Sequence, residues 1–143
     1  MKKLIEVAFS QYGVKEIVGK KHNPVVVNYF KEIGFKQIDN DETPWCSAFI
    51  NWCALKSGLE KNMSKKLNAR SWLKVGNEIK DPVLGDIVIF WRENKDGWKG
   101  HVGIYINEDS KNINVLGGNQ GNEVCIKPYP KDRLLGYRRL KRG

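Results

Sequence analysis

Thr43-Pro44-Trp45-Cys46-Ser47-Ala48-Phe49-Ile50, read with Gly100-His101-Val102-Gly103-Ile104-Tyr105 further along, decides the fold class, because it sets a cysteine at a helix start and a histidine at a strand start. Proline is favoured as the first residue of a helix and threonine as the cap before it. The sequence therefore predicts a helix from Thr43 to about Lys56, with Gly58 past its end. Cys46 then takes the third helical position, beside unpaired backbone N–H groups and the positive end of the helix dipole. That address predicts a stabilised thiolate and a lowered thiol pKa, which a cysteine nucleophile near neutral pH requires. The alternative is an inert buried thiol, the common state of a free cysteine.

The other cysteines favour the first reading. The chain has three, and Cys46 alone stands at a predicted helix start; Cys53 is mid-helix and Cys125 lies in a strand-like run. Cys46 and Cys53 are two helical turns apart, roughly 10 Å along the axis and beyond the ~7 Å Cα separation that a disulfide spans. Phe49, Ile50, Cys53 and Ala54 follow Cys46 at the spacing of a core stripe, which makes Cys53 core filler and turns Cys46 inward.

A base for that thiol comes from two histidines. His22 lies in the polar turn Gly19-Lys20-Lys21-His22-Asn23-Pro24, ahead of a second capped helix start, and reads as a solvated loop residue. His101 opens an alternating run in which Val102, Ile104 and Ile106 share one face while His101, Gly103 and Tyr105 share the other. Gly103 leaves a gap beside the histidine that a helix N-terminus could enter. From His101 alone, a surface histidine at a strand start is an equal alternative; with Cys46 the base is favoured. An orienting third group is expected, and Asn119 at the end of Ile113-Asn114-Val115-Leu116-Gly117-Gly118-Asn119 is the candidate. Its spacing equally describes a tight turn over Asn119 to Asn122, and from spacing alone the turn is favoured.

Around these positions the chain reads as α+β. Leu4, Ile5, Ala8, Phe9 and Tyr12 form one amphipathic stretch. Val26, Tyr29, Phe30 and Ile33 form a second that ends at Gly34, the Cys46 helix is the third, and Ala69 to Lys74 is a short fourth. Strands are predicted at Asp86 to Trp91, His101 to Ile106, Asn112 to Leu116, Glu123 to Lys127 and Leu135 to Leu140. Helices followed by antiparallel strands set the nucleophile on a helix packed against the sheet that carries the base. With 143 residues and no linker or repeat, residues 1–143 are expected to form one domain. Asp86, in a Gly-Asp pair before a buried strand, reads as a structural carboxylate bonded to turn amides.

The order of these motifs resembles a known family. Cysteine, then Gly85-Asp86 before Ile87-Val88-Ile89-Phe90-Trp91, then Gly100-His101-Val102-Gly103, then Gly117-Gly118-Asn119, is similar to the CHAP amidases within the NlpC-like cysteine peptidase superfamily. The likeness covers nearly the whole chain and extends to Gly117-Gly118-Asn119-Gln120-Gly121-Asn122 and Leu135-Gly136-Tyr137-Arg138-Arg139, as in the small single-domain branch found in phages and prophages. The resemblance implies a papain-like α+β domain that hydrolyses amide bonds in peptidoglycan, with Cys46 as nucleophile, His101 as base and Asn119 as orienting residue. Many CHAP domains carry a glutamate two positions before the equivalent asparagine; here Gly117 stands there, so the triad is expected to end in an amide. The bond cut would be the N-acetylmuramoyl-L-alanine amide or a stem-peptide bond, and oxyanion donors are expected from the Cys46 N–H and the Asp41-Glu42-Thr43 segment. A phage endolysin and a secreted antibacterial effector both fit this chemistry.

Composition bounds the setting. Met1-Lys2-Lys3 is followed by an apolar run that Glu6 interrupts, so neither a signal peptide nor a membrane span is expected. An odd number of separated cysteines suits synthesis in a reducing cytoplasm, with action in the periplasm or cell wall after release or injection. The net charge of +9 suits anionic partners, peptidoglycan first and other envelope polymers with it. The basic run Arg133 to Arg142 reads as a closing strand with a solvated face, and no nucleic-acid motif accompanies it. The cysteine spacing fits no zinc site, so no metal or other cofactor is expected, and the chain is expected to act as a monomer. A catalytically silent wall-binding module and a basic nucleic-acid-binding domain are the readings from other classes.

Overall fold

The computed structural model describes residues 3–17, 22–38 and 44–141. Helices α1 (Leu4–Phe9), α2 (Pro24–Glu32) and α3 (Cys46–Lys56) precede strands β1 (Asn77–Ile79), β2 (Ile87–Trp91), β3 (Gly100–Glu108), β4 (Asn112–Gly117), β5 (Cys125–Pro130) and β6 (Leu134–Arg139). This is the expected α+β order. Asn23 caps α2 as read, its side chain accepting the Val25 N–H at 2.9 Å with Pro24 as the first helical residue.

The start of α3 differs from expectation. Its cap is Trp45, at φ −125°, and the first helical bond runs from the Phe49 N–H to the Trp45 carbonyl at 2.9 Å. Cys46 is therefore the first helical residue rather than the third, and Thr43 lies outside the described residues. The cause is the tryptophan. Trp45 is fully buried, its Nε1 donates to Glu16 Oε1 at 2.7 Å, and its ring lies 6.0 Å from that of Tyr29 and 6.5 Å from that of Phe49. Burying so large a ring is worth about 3 kcal/mol, against about 1 kcal/mol for a polar cap, so the aromatic anchor fixes where the chain enters the helix. The apolar stripe expected along α3 is also wider than read: Cys46 through Asn51, Cys53 and Ala54 are all buried, as in a helix enclosed on most sides.

The six strands form one antiparallel sheet in the order β1-β6-β2-β3-β4-β5, and β2 pairs with β3 so that Phe90 faces His101 across the ladder. Alternation divides the sheet residues between two faces, along β3 as the sequence implied. Ile87, Ile89, Val102, Ile104 and Leu116 join the helices in the main core, whereas Val88, Phe90, Tyr105, Ile113, Val115 and Tyr137 form a second cluster on the opposite face. β1 was not read from sequence; it pairs with β6, and the Arg138 guanidinium next to it donates to the carbonyls of Val75 at 2.7 Å and Gly76 at 2.9 Å. Asp86 is structural as read, taking two bonds of 2.8 Å from Arg139 and one of 2.8 Å from the Val83 N–H. Among the described residues, no helix is long and apolar enough to cross a membrane.

Candidate active site

The first turn of α3 meets the start of β3. Cys46, His101 and Asn119 line one cleft of about 250 Å³, together with Leu67, Arg92 and Trp98. His22, immediately before the α2 cap, is not part of this cleft. Two devices seat the α3 start. One is polar: Ser47 Oγ donates to the Lys66 carbonyl at 2.6 Å and accepts from Trp72 Nε1 at 3.0 Å, while Asn51 donates to the Lys66 carbonyl at 3.1 Å and accepts from the Lys65 N–H at 3.1 Å. These bonds tie the cleft wall that contains Leu67 to the helix carrying the thiol. The other is steric: a Cβ on Gly118 would lie 2.8 Å from both Phe49 Cβ and Trp45 Cζ3. Gly118 is thus where the helix and the β4 end approach closely, and not Gly103, whose open side is filled by Val115 and by the Leu116 carbonyl of the neighbouring strand.

The imidazole is held on its face and at one edge. His101 is buried and its ring stacks on Tyr129, with centroids 4.8 Å apart and planes 17° apart. Its Nε2 lies 2.8 Å from Gln120 Oε1. The Gln120 amide nitrogen donates to the carbonyls of Cys125 at 2.7 Å and Val115 at 3.1 Å, so the amide oxygen must face the ring. An oxygen only accepts. Nε2 therefore carries the proton, and Nδ1 is left as the unprotonated base.

The group that takes the imidazole N–H is thus Gln120, and the expected role of Asn119 as acceptor is corrected. Asn119 sits at φ +58° in the turn that links β4 to β5, closed by the Gln120 N–H on the Glu123 carbonyl at 2.9 Å. No hydrogen bond joins Asn119 to His101 among the described residues, and the turn reading of this stretch holds. Gln120 reaches the ring because Gly117 makes room. A Cβ there would lie 2.5 Å from Gln120 Oε1 and 3.4 Å from His101 Nε2.

Burial governs the charges. It pushes the Cys46 thiol up, against the backbone N–H groups of Val102 and Ser47 and the positive charge of Arg92, which pull it down. It pushes the His101 pKa down to about 4, opposed by the bond to Gln120. Both shifts favour the uncharged forms, a thiol and a neutral imidazole. Burial thus works against the expected thiolate at the helix end, since a helix terminus contributes about 1 kcal/mol and the desolvation of a buried charge costs more. The arrangement suits a proton passing from sulfur to Nδ1 as sulfur attacks, with the unpaired N–H groups of the first α3 turn close by.

Comparisons with known proteins agree with this fold. A family model described as the CHAP domain matches residues 38–119. A search of curated proteins returned no match. Among solved structures, a crystal structure from Staphylococcus aureus subsp. aureus Mu50, described as similar to lipoprotein, NLP/P60 family, superposes with a TM-score of 0.58 at 18% identity. That alignment covers 98% of this chain and 41% of the other, so this chain spans under half the length of that neighbour, and the likeness is one of fold.

Proposed function

The chain belongs to the CHAP domain family, and we propose that it is a cysteine hydrolase cutting an amide bond of peptidoglycan, either the N-acetylmuramoyl-L-alanine amide or a bond within the stem peptide. The observation that carries the reading is the shared cleft, which Cys46 lines together with a histidine whose Nε2 is taken up by Gln120.

In this mechanism Nδ1 of His101 takes the Cys46 proton as sulfur attacks the substrate carbonyl. The resulting imidazolium then protonates the leaving amine, and water, deprotonated by the same nitrogen, hydrolyses the thioester. Gln120 holds the ring in the required tautomer and accepts the Nε2 proton throughout. The backbone N–H of Cys46, free of any helical partner, is assigned to the oxyanion, and Asn119 to the wall that places the substrate. The Asp41-Glu42-Thr43 segment, named as a source of a second donor, lies outside the described residues.

Residues 1–143 act in this reading as one catalytic domain and as a monomer. Its setting is that of an endolysin reaching the wall after synthesis in the cytoplasm, with an injected effector as the alternative use of the same chemistry. The test is mass spectrometry of fragments released from purified peptidoglycan. New amine termini produced by the wild type and absent with Cys46→Ala support the reading and name the bond; wall pelleting without release would support a binding module instead.

A further inference from the structure

A second cleft, of about 420 Å³, opens on the other side of His101. It shares His101, Asn119 and Arg92 with the nucleophile cleft, so a molecule with its scissile carbonyl at Cys46 extends into it. Its lining includes the side chains of Arg92, Lys127 and Arg133 and no carboxylate. Among the described residues none of these three cations forms an ion pair; the neighbouring acids are engaged elsewhere, Glu123 with Lys15, Glu93 with Lys99 and Glu108 with Lys131.

One of the cations is seated on a ring and a second lies close to the backbone. The Arg133 guanidinium lies over the Trp91 ring at 5.2 Å from its centroid, and Trp91 Nε1 is bonded to the Asp132 carbonyl at 3.3 Å. The Lys127 ammonium folds back over Gly121, where a Cβ would collide with it. Both line the cleft together with Tyr129, the ring on which His101 stacks. Cations lacking anionic partners, one of them seated on an indole ring, form a receptor prepared for an anion, because no resident ion pair has to break when one arrives.

We propose that this cleft recognises a carboxylate of the peptide being cut, on one side of the scissile amide, and so selects stem peptides with free acidic groups over amidated ones. The proposal rests on the hydrolase reading for the position of the substrate and deepens it by naming the group that is read. Carboxylate is favoured over polymer phosphate because the cleft is continuous with the reacting centre, and its occupant is therefore a neighbour of the bond that is cut.

The test uses binding, so that it stands apart from turnover. Full-length Cys46→Ala protein is titrated calorimetrically with L-Ala-γ-D-Glu-L-Lys and with the same peptide carrying an amide in place of the glutamyl α-carboxylate. The free acid is expected to bind about tenfold more tightly, and Lys127→Gln combined with Arg133→Gln to reduce that ratio to about twofold or less. Lys127→Glu alone, an exposed single change, provides the same comparison should the double variant fold poorly. Equal affinities for the two peptides, no binding of either, or a ratio that survives both variants would overturn the proposal. So would inorganic phosphate displacing the free acid at a lower concentration than the amidated peptide's own competing carboxylates require, because the cleft would then read phosphate. If the wild type releases nothing from peptidoglycan while the binding ratio holds, the hydrolase reading fails and the recognition stands.

Discussion

The two sides of the cleft are held in different ways. On the helix side, Cys46 begins α3 with no side-chain cap before it, and it is placed by what surrounds the helix: Trp45 behind, Gly118 against the flank, Ser47 and Asn51 tying in the Lys66 strand of chain. On the sheet side, His101 is fixed through its own ring atoms, by Tyr129 on its face and Gln120 at its edge. Packing locates the nucleophile, and directed hydrogen bonds decide the tautomer of the base. Substitutions on the helix side should therefore act through position and stability, whereas those around the imidazole should act through tautomer and pH.

The largest effect is expected at the reacting atoms. Cys46→Ala should lower amine release from peptidoglycan by about 10⁴-fold or more and His101→Ala by about 10³-fold or more, with circular dichroism showing both folded. His22→Ala should change the rate little. Gln120→Ala removes the acceptor of the Nε2 proton and leaves the carbonyls of Val115 and Cys125 unpaired, so kcat should fall about 10- to 100-fold. Gln120→Glu separates orientation from burial. A carboxylate beside the ring still accepts the bond but favours imidazolium, so the acid limb of the kcat/KM profile should move to higher pH; an unmoved limb would show that this contact does not govern the base.

A smaller effect is expected from Gly117→Ala, which alters no polar group. Its methyl would enter the space held by Gln120 Oε1, so turnover should fall by about tenfold while Gly118→Ala, pressed against Phe49 and Trp45, should chiefly lower the melting temperature. Comparable losses of turnover at matched stability would erase the distinction between the two sides. Asn119→Ala should do least, changing KM more than kcat and by less than about fivefold.

Stability should also report the buried imidazole. Because the folded-state pKa of His101 is lowered to about 4, the unfolded chain binds more protons between the usual histidine range and that value. Stability linked to this residue is complete above about pH 6.5 and is lost as pH falls through that window. The melting temperature of the wild type should therefore fall relative to that of His101→Gln as pH drops from about 6.5 towards 4, and parallel curves from pH 7 to 4 would contradict the burial argument. On the helix side, iodoacetamide should modify Cys46 at a rate that rises into alkaline pH, as a thiol above its usual range requires.

Much of the architecture was legible because periodicity reports burial directly. The β3 alternation sorted Val102 and Ile104 from Tyr105 onto the faces they occupy. The three residues of β1 carry no such pattern and become a strand only through pairing with β6 and the reach of Arg138. The α3 start was misplaced because Thr43 and Pro44 are local signals and the burial of Trp45 is a tertiary one. That Cys46 and His101 come together in one cleft was legible from their positions, yet the direction of their charge shifts was not, since a local dipole is visible in sequence and desolvation is not. Gln120 was hidden for a related reason: in Gly117-Gly118-Asn119-Gln120-Gly121-Asn122 it looks like one more polar turn residue. The clue was Gly117, whose missing side chain leaves the slot that the Gln120 amide fills.

The arrangement of the base is most directly measured by nitrogen NMR of the imidazole in ¹⁵N-histidine-labelled protein, assigned with a His22→Gln variant. The account predicts that His101 carries its proton on Nε2, shows an unprotonated Nδ1 near neutral pH, and titrates near 4, with Gln120→Ala mixing the two tautomers. A proton resident on Nδ1, or an imidazolium persisting above pH 6.5 in the wild type, would contradict it.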